Sequence, residues 1–215
     1  MSIEIEITRG LDLRAQVMLA AQAVRQGEII LFPTETVYGL AADASNPEAI
    51  ERLFTIKHRP ANKPFPVMVS SLEMARELVD LGDAQEIARD YWPGPLTLVL
   101  PAKNPGFSPA CVQDGTIGIR CPHHDVAQAI LELAGVPLAV PSANASGEPP
   151  ATDSAQARYV LANSDIAFRI YQQNPTMGQP TTVLKIEPHT WTILRHGPVS
   201  ADASRGYLPP HVTLA

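Results

Sequence analysis

Leu31–Pro64, LFPTETVYGLAADASNPEAIERLFTIKHRPANKP, is the stretch whose reading decides the fold. Its pattern predicts strand, turn, strand, helix and then a short cationic loop. Asn46 is a good N-cap, and Pro47 suits the first helical position, where its missing N–H is no loss. Ile50, Leu53, Phe54 and Lys57 follow the i, i+3, i+4, i+7 rule, so the apolar stripe of this helix ends in an ammonium group. Pro60 forbids continuation and pushes Arg59 towards an extended conformation. Lys57, His58, Arg59 and Lys63 are therefore expected to emerge beside the turn that carries Thr34 and Thr36.

Outward from this centre the same alternation continues. Upstream, residues 3–7 read as a strand, Leu13 to Val24 as a helix closed near Gly27, and Glu28–Phe32 as a short buried strand. Downstream, Phe65–Val69 reads as a strand. Ser70 with Glu73 forms a capping box for a helix through about Leu81, and Asp83 with Glu86 does the same for one through about Trp92. Leu96–Leu100 is strand-like, and residues 101–115 read as loop. In Thr116–Cys121, alternation puts Ile117, Ile119 and Cys121 on one face, leaving Arg120 to face solvent or a cleft. A helix around Val126, Ile130 and Leu133 leads to a strand at Leu138–Val140, and a further helix runs to about Leu161. Ile166, Phe168 and Ile170 alternate as a strand, and Thr181–Ile186 with Trp191–Arg195 forms a hairpin. Short strands interleaved with helices predict an α/β domain. The prolines and the late hairpin favour a twisted mixed sheet, parallel and antiparallel, with flanking helices. One domain is expected over residues 1–200, followed by an irregular tail at 201–215.

Composition narrows the function. The chain has 215 residues, 45% hydrophobic and 18% charged, which are the proportions of a soluble globular protein. No apolar run is long enough to span a bilayer, and the first residues, MSIEIEITRG, are not patterned as a signal peptide, so no membrane association and a cytoplasmic location are expected. A net charge of -6 argues against sequence-blind nucleic-acid binding, which needs a basic face. Cys111 and Cys121 match no zinc signature, the adjacent His123 and His124 would point to opposite faces of a strand, and no metal site is expected.

Three segments could carry chemistry. Lys57-His58-Arg59 offers charge-assisted donors for phosphate or carboxylate, or is simply a solvated helix end complementing the dipole. Pro141-Ser142-Ala143-Asn144-Ala145-Ser146-Gly147 directly follows a strand, where open α/β sheets bind ligands, although such residues also make ordinary turns. Thr34, Thr36 and Tyr38 lie beside Gly39, and Arg120 and Arg195, each near the end of an apolar strand, could meet on one anion. There is no Walker A sequence, no Gly-rich dinucleotide fingerprint and no Ser-His-Asp order.

Taken together, PTETVYGLAADA, KHRP with a following KP, WPGPLTLVL, TIGIRCP and PSANASGEP strongly resemble the YrdC/Sua5 family, the L-threonylcarbamoyladenylate synthases, over roughly Val17 to Ser200. The resemblance implies a large, positively charged cavity. It also implies a nucleotidyltransferase reaction in which L-threonine, bicarbonate or CO2 and ATP give threonylcarbamoyl-AMP and pyrophosphate for the t6A modification of tRNA. Lys57, Arg59, Ser142 and Asn144 match the catalytic positions; Thr34, Thr36, Arg120 and Thr181 match the L-threonine side. Lys57, Arg59, Thr116, Ser142, Asn144 and Arg195 match the ATP side. Magnesium is expected to accompany ATP, with no organic cofactor. A contact with tRNA or double-stranded RNA, and a separate downstream enzyme complex that transfers the threonylcarbamoyl group, are also implied. The chain resembles the single-domain type and departs from the family pattern at Lys185, which stands at a usual Asp, at Pro150 and at His196. The other readings are a non-catalytic RNA-binding module and a paralogue using a different amine. Because Lys57 and Arg59 sit at a helix end, alanine at either is expected to stop pyrophosphate release without harming the fold.

Overall fold

The computed structural model describes residues 2–60, 63–103, 108–174 and 176–215. The expected cationic loop at Ala61 and Asn62, and the expected loop at Asn104–Phe107, lie outside the described residues, as does Pro175 in the segment leading to Lys185.

Strand, turn, strand and helix follow one another in the central stretch as its pattern requires. β1 (Ile3–Glu6) and α1 (Leu13–Arg25) precede β2 (Ile30–Phe32), β3 (Gly39–Asp43) and α2 (Pro47–Lys57). Asn46 Oδ1 accepts from the amides of Glu48 and Ala49 at 3.1 Å each, Pro47 begins α2, and His58 closes it in the left-handed region at φ 49°. Then come β4 (Val67–Met68), α3 (Leu72–Leu78), α4 (Gln85–Tyr91), β5 (Leu96–Pro101), β6 (Thr116–Arg120) and α5 (Asp125–Ala134). β7 (Leu138–Ala139), α6 (Ser154–Tyr159), β8 (Phe168–Tyr171), β9 (Thr182–Ile186), β10 (Thr190–Arg195), α7 (Ala201–Arg205) and β11 (Thr213–Leu214) complete the described elements.

All eleven strands join one sheet in the order β1-β8-β2-β3-β7-β4-β6-β5-β9-β10-β11, with parallel and antiparallel neighbours mixed. Alternation along the strands divides the apolar residues between its two faces. Leu31, Leu40, Val67, Leu98, Ile119 and Leu184 pack on one side with Leu53 of α2 and Ile87 of α4. Ile30, Phe32, Met68 and Ile170 pack on the other side with Val17 and Val24 of α1 and Ile130 of α5. Helices α1 and α5 cover that second face only over the first part of the strand order. From Met68 onward its register partner is Arg120, and the rows continue as Gly118–Val99–Lys185 and Thr97–Val183–Arg195. These rows form the floor of a cleft. A mixed sheet carried beyond its covering helices is what gives the domain an open, residue-lined face.

Three local expectations need correction. Ser71, not Ser70, caps α3, accepting from the Met74 amide at 3.2 Å, and α3 stops at Leu78 because Val79 turns extended, φ -133°. Asp83 lies in a 3-10 turn at Gly82–Ala84, and α4 begins without a side-chain cap. Residues 201–215 are not irregular: Ser200 Oγ accepts from the Ala203 amide at 3.1 Å to start α7, and β11 adds to β10 in parallel. A five-residue helix and a two-residue strand are too short to leave a periodic signal.

Candidate active site

Two adjoining compartments share Pro66, Thr97 and Arg195 on their linings. The smaller, about 70 Å³, is bordered by Thr34, Thr36, Arg120, Ser142, Thr181 and Arg195. The larger, about 710 Å³, is bordered by Arg59, Thr116, Lys185 and Arg195, with Asp114 and Glu187 also on its lining. Of the sequence-predicted residues, Lys57 and Asn144 border neither compartment; they lie behind Ser142.

Lys57 shows why. It is 1% exposed, the last residue of α2, and its Nζ donates to the carbonyl oxygens of Ser142 and Asn144 at 2.5 and 2.7 Å and to Asn144 Oδ1 at 3.0 Å. Ser142 Oγ donates to the same Asn144 Oδ1 at 2.6 Å, Asn144 Nδ2 donates to the Glu148 carbonyl at 2.5 Å, and the Ser146 amide returns to the Lys57 carbonyl at 2.8 Å. The loop after β7 is thus fastened to the last turn of α2 through both backbone and side chain. Burial, and secondarily the charge of Arg59, push the Lys57 ammonium down to about 7. The expectation that Lys57 sits outside the core is corrected. Its apolar stem completes the helix stripe, and its head group fills the hydrogen-bonding needs of a buried loop.

Arg59 is held more loosely. It donates from Nε and Nη2 to the carbonyls of Lys63 and Pro64 at 3.0 Å each and lies 5.2 Å from the centre of the Phe65 ring.

The turn after β2 folds on its own hydroxyls. Thr34 Oγ1 donates to the Val37 carbonyl at 2.6 Å and accepts from the Thr36 and Val37 amides at 3.2 and 3.3 Å. The loop after β7 docks against this turn through the Ala143 amide, 2.7 Å from the Tyr38 carbonyl. Arg120, 4% exposed, does reach the cleft, but its charge is already paired: Nη2 lies 2.6 Å from Glu35 Oε2. Nη1 donates to Thr36 Oγ1 at 3.0 Å and Nε to the Gly94 carbonyl at 3.1 Å. Sequence reasoning missed Glu35. The signal was that an arginine on the inner row of a strand needs a carboxylate, and Glu35 is the acidic residue between the two threonines.

On the opposite wall Arg195 repeats the pattern. Nε donates to the Thr181 carbonyl at 2.8 Å and Nη2 to Thr181 Oγ1 at 2.7 Å, and Thr181 Oγ1 lies 2.9 Å from Thr97 Oγ1. Thr97 was also missed; its place on the floor row of β5 is what brings it here. Burial lowers the pKa of Arg59, Arg120 and Arg195, yet guanidinium stays cationic across the working range.

Gly197 guards this wall. A Cβ there would fall on the backbone of Thr181 and Thr182 and on the Pro180 carbonyl, which line or adjoin the cleft. Gly197→Ala is expected to cost about 1–3 kcal/mol in chemical denaturation. Gly206→Ala, whose nearest contact is the Ala203 carbonyl oxygen at 3.5 Å, should stay within about 0.5 kcal/mol of the parent.

The chain as a whole has counterparts. A Bacillus subtilis protein named threonylcarbamoyl-AMP synthase is 35% identical over 202 residues, covering 91% of this chain and 57% of its own length. A Pyrococcus abyssi protein of the same name is 40% identical over 145 residues, covering 65% of this chain and 42% of its own length. The chain thus spans about half the length of these two relatives. The structure of P. abyssi Sua5 complexed with L-threonine superposes with a TM-score of 0.88 at 30% identity, covering all of this chain and 63% of that one. The family model described as telomere recombination, the Sua5/YciO/YrdC domain, matches residues 22–197. With four-fifths of its length in that match, and with the mixed sheet and two-compartment cleft in place, the chain belongs to the Sua5/YciO/YrdC family.

Proposed function

We propose that the chain joins L-threonine, CO2 from bicarbonate and ATP into threonylcarbamoyl-AMP, releasing pyrophosphate. One observation carries this reading: a small compartment bordered by Arg120 and four threonine hydroxyls shares Arg195 with a larger one bordered by Arg59 and Thr116. The first suits an amino acid and the second a nucleotide. The names of the relatives point the same way.

In this scheme Arg120 and Thr181 hold the amino acid, with Thr34 and Thr36 beside them. The neutral amine attacks CO2 and loses a proton to solvent, giving a carbamate. A carbamate oxygen attacks the α-phosphorus, and the bond to the bridging oxygen breaks as pyrophosphate leaves. No enzyme nucleophile takes part, so positioning and charge supply the acceleration. Arg59 and Arg195 face the developing phosphate charge, and Lys57 acts by holding Ser142 and Asn144 in place. On the larger compartment three cations, Arg59, Lys185 and Arg195, stand against two carboxylates, Asp114 and Glu187, which makes the cavity positive on balance. Glu187 is itself paired with Lys185 at 2.8 Å. These carboxylates fit a magnesium ion that arrives on the ATP phosphates and keeps most of its water, and the ion would offset phosphate charge there. A separate enzyme would consume the product by transferring the threonylcarbamoyl group to tRNA. A contact with tRNA or double-stranded RNA is the least supported element, given the net charge of -6.

The test is mass spectrometry of products from ATP, L-threonine and bicarbonate, with pyrophosphate measured in parallel. Threonylcarbamoyl-AMP and pyrophosphate in equal amounts, dependent on all three substrates, are expected. Folded protein that yields neither would overturn the reading.

A further inference from the structure

An in-line displacement fixes where the two ends of the reacting phosphate must point. The carbamate forms in the small compartment, so the α-phosphorus it attacks has to sit at the lining that the two compartments share, by Pro66, Thr97 and Arg195. The attacking and leaving oxygens lie roughly opposite each other across that phosphorus. Pyrophosphate therefore departs away from the small compartment, into the larger one.

The floor there holds a cation to which the scheme above gives no step. Arg195 pairs across the strands with Val183, and Lys185 is two residues further along β9, roughly 7 Å from that row at the rise of a strand. Lys185 borders the larger compartment alone, in the row Gly118–Val99–Lys185, to which Gly118 brings no side chain. Its head group also differs from the other two cations in what holds it. Arg59 is tied to the Lys63 and Pro64 carbonyls, and Arg195 to Thr181. Lys185 Nζ donates to Glu187 Oε1 at 2.8 Å, with the two side chains 33% and 45% exposed. An ion pair as open to water as this is held weakly, and the flexible stem lets the ammonium exchange its carboxylate for a phosphate oxygen.

We propose that Lys185 is a further substrate-binding residue, which meets the β- and γ-phosphates and stabilises pyrophosphate as it leaves, with Glu187 as the partner it gives up. This rests on the nucleotide reading above and adds to it the group that receives the leaving end. As the bond between the α-phosphorus and the bridging oxygen breaks, its electron pair stays on that oxygen. Lys185 offsets the new charge and keeps its proton.

The test is calorimetric titration with ATP, AMP and pyrophosphate in the presence of EDTA, so that no metal ion contributes. ATP and AMP share the adenosine and the α-phosphate and differ in the part assigned to Lys185. Lys185→Met should raise the Kd for ATP and for pyrophosphate about tenfold, as the loss of one charge-assisted hydrogen bond warrants, and leave the Kd for AMP within about twofold. Lys185→Arg, which keeps the charge, should hold the ATP value within about threefold of the parent. Unchanged ATP binding in Lys185→Met, or ATP and AMP weakened alike, overturns the inference. So does a loss in Lys185→Arg as large as in Lys185→Met, which would mark a structural role. Should Lys185→Met not fold, Lys185→Gln carries the same expectation and the same contrary results. A parent that binds neither ATP nor pyrophosphate sinks the nucleotide reading and this inference with it. A parent that binds ATP no more tightly than AMP sinks this inference alone.

Discussion

Lys57→Met is expected to lose at least about a hundredfold in threonylcarbamoyl-AMP formation, because misplacing a positioned group by an ångström costs that much. Nothing in this expectation requires Lys57 to touch a substrate. Its Nζ holds three oxygens of the loop that carries Ser142 and Asn144, and methionine keeps the stem while removing every donor. The Asn144 carbonyl would then lack a partner, while the Ser142 carbonyl keeps the Asn144 amide at 3.1 Å and Asn144 Oδ1 keeps Ser142 Oγ at 2.6 Å, at a cost of about 1–3 kcal/mol in stability. The pH dependence separates this residue from a surface lysine. The folded state pushes the ammonium from 10.5 down to about 7, so the fold disfavours its charged form. Below pH 7 the parent bears the whole cost of a buried cation. As the pH rises from 7 to 10.5 the folded state binds fewer protons than the unfolded one, and stability is gained. The gap in Tm between parent and Lys57→Met should therefore widen across that window, as scanning calorimetry can follow. A flat or narrowing gap would mean that the ammonium is not penalised by its surroundings.

Arg120→Met is expected to have the larger effect on stability. Removing one member of a buried ion pair strands the other, and the usual cost is about 3–5 kcal/mol. Here the stranded group is Glu35, whose carboxylate sits 2.6 Å from the lost guanidinium. Activity should disappear with it. The double variant Glu35→Gln with Arg120→Met should recover most of the stability and none of the activity. If the single variant is as stable as the parent in urea titration, the pair is not the buried, mutually dependent unit described above.

Much of this was legible in the residues. The period of the central stretch, Asn46 with Pro47, and the alternation in Thr116–Arg120 are local signals, and local signals survive into the fold because burial reinforces them. The identity of the lining followed partly from the same source: eight of the ten expected site residues border the cleft, with Lys57 and Asn144 behind it. Partnership was not legible. That Glu35 would meet Arg120, 85 positions away, and that Thr97 would meet Thr181, depends on which strands are neighbours, and nothing within either segment encodes that. Lys57 was misplaced for a different reason. A helix-terminal lysine usually reaches water, and only the return of the loop after β7 turns its end into a buried anchor. The short helix and strand after Ser200 escaped because a single turn held by a serine cap has no repeat to detect.

The strand order has one further consequence, which concerns time. β5 lies between β6 and β9, with β10 beyond, so the wall bearing Arg195 is laid down some 75 residues after the wall bearing Arg120, by 195 minus 120. As the chain leaves the ribosome, the strands from β1 to β7 can find several of their neighbours while the far rim of the hollow is still unmade. The two arginines first face each other when the last hairpin docks, so a growing polypeptide has no finished hollow until synthesis has passed Arg195.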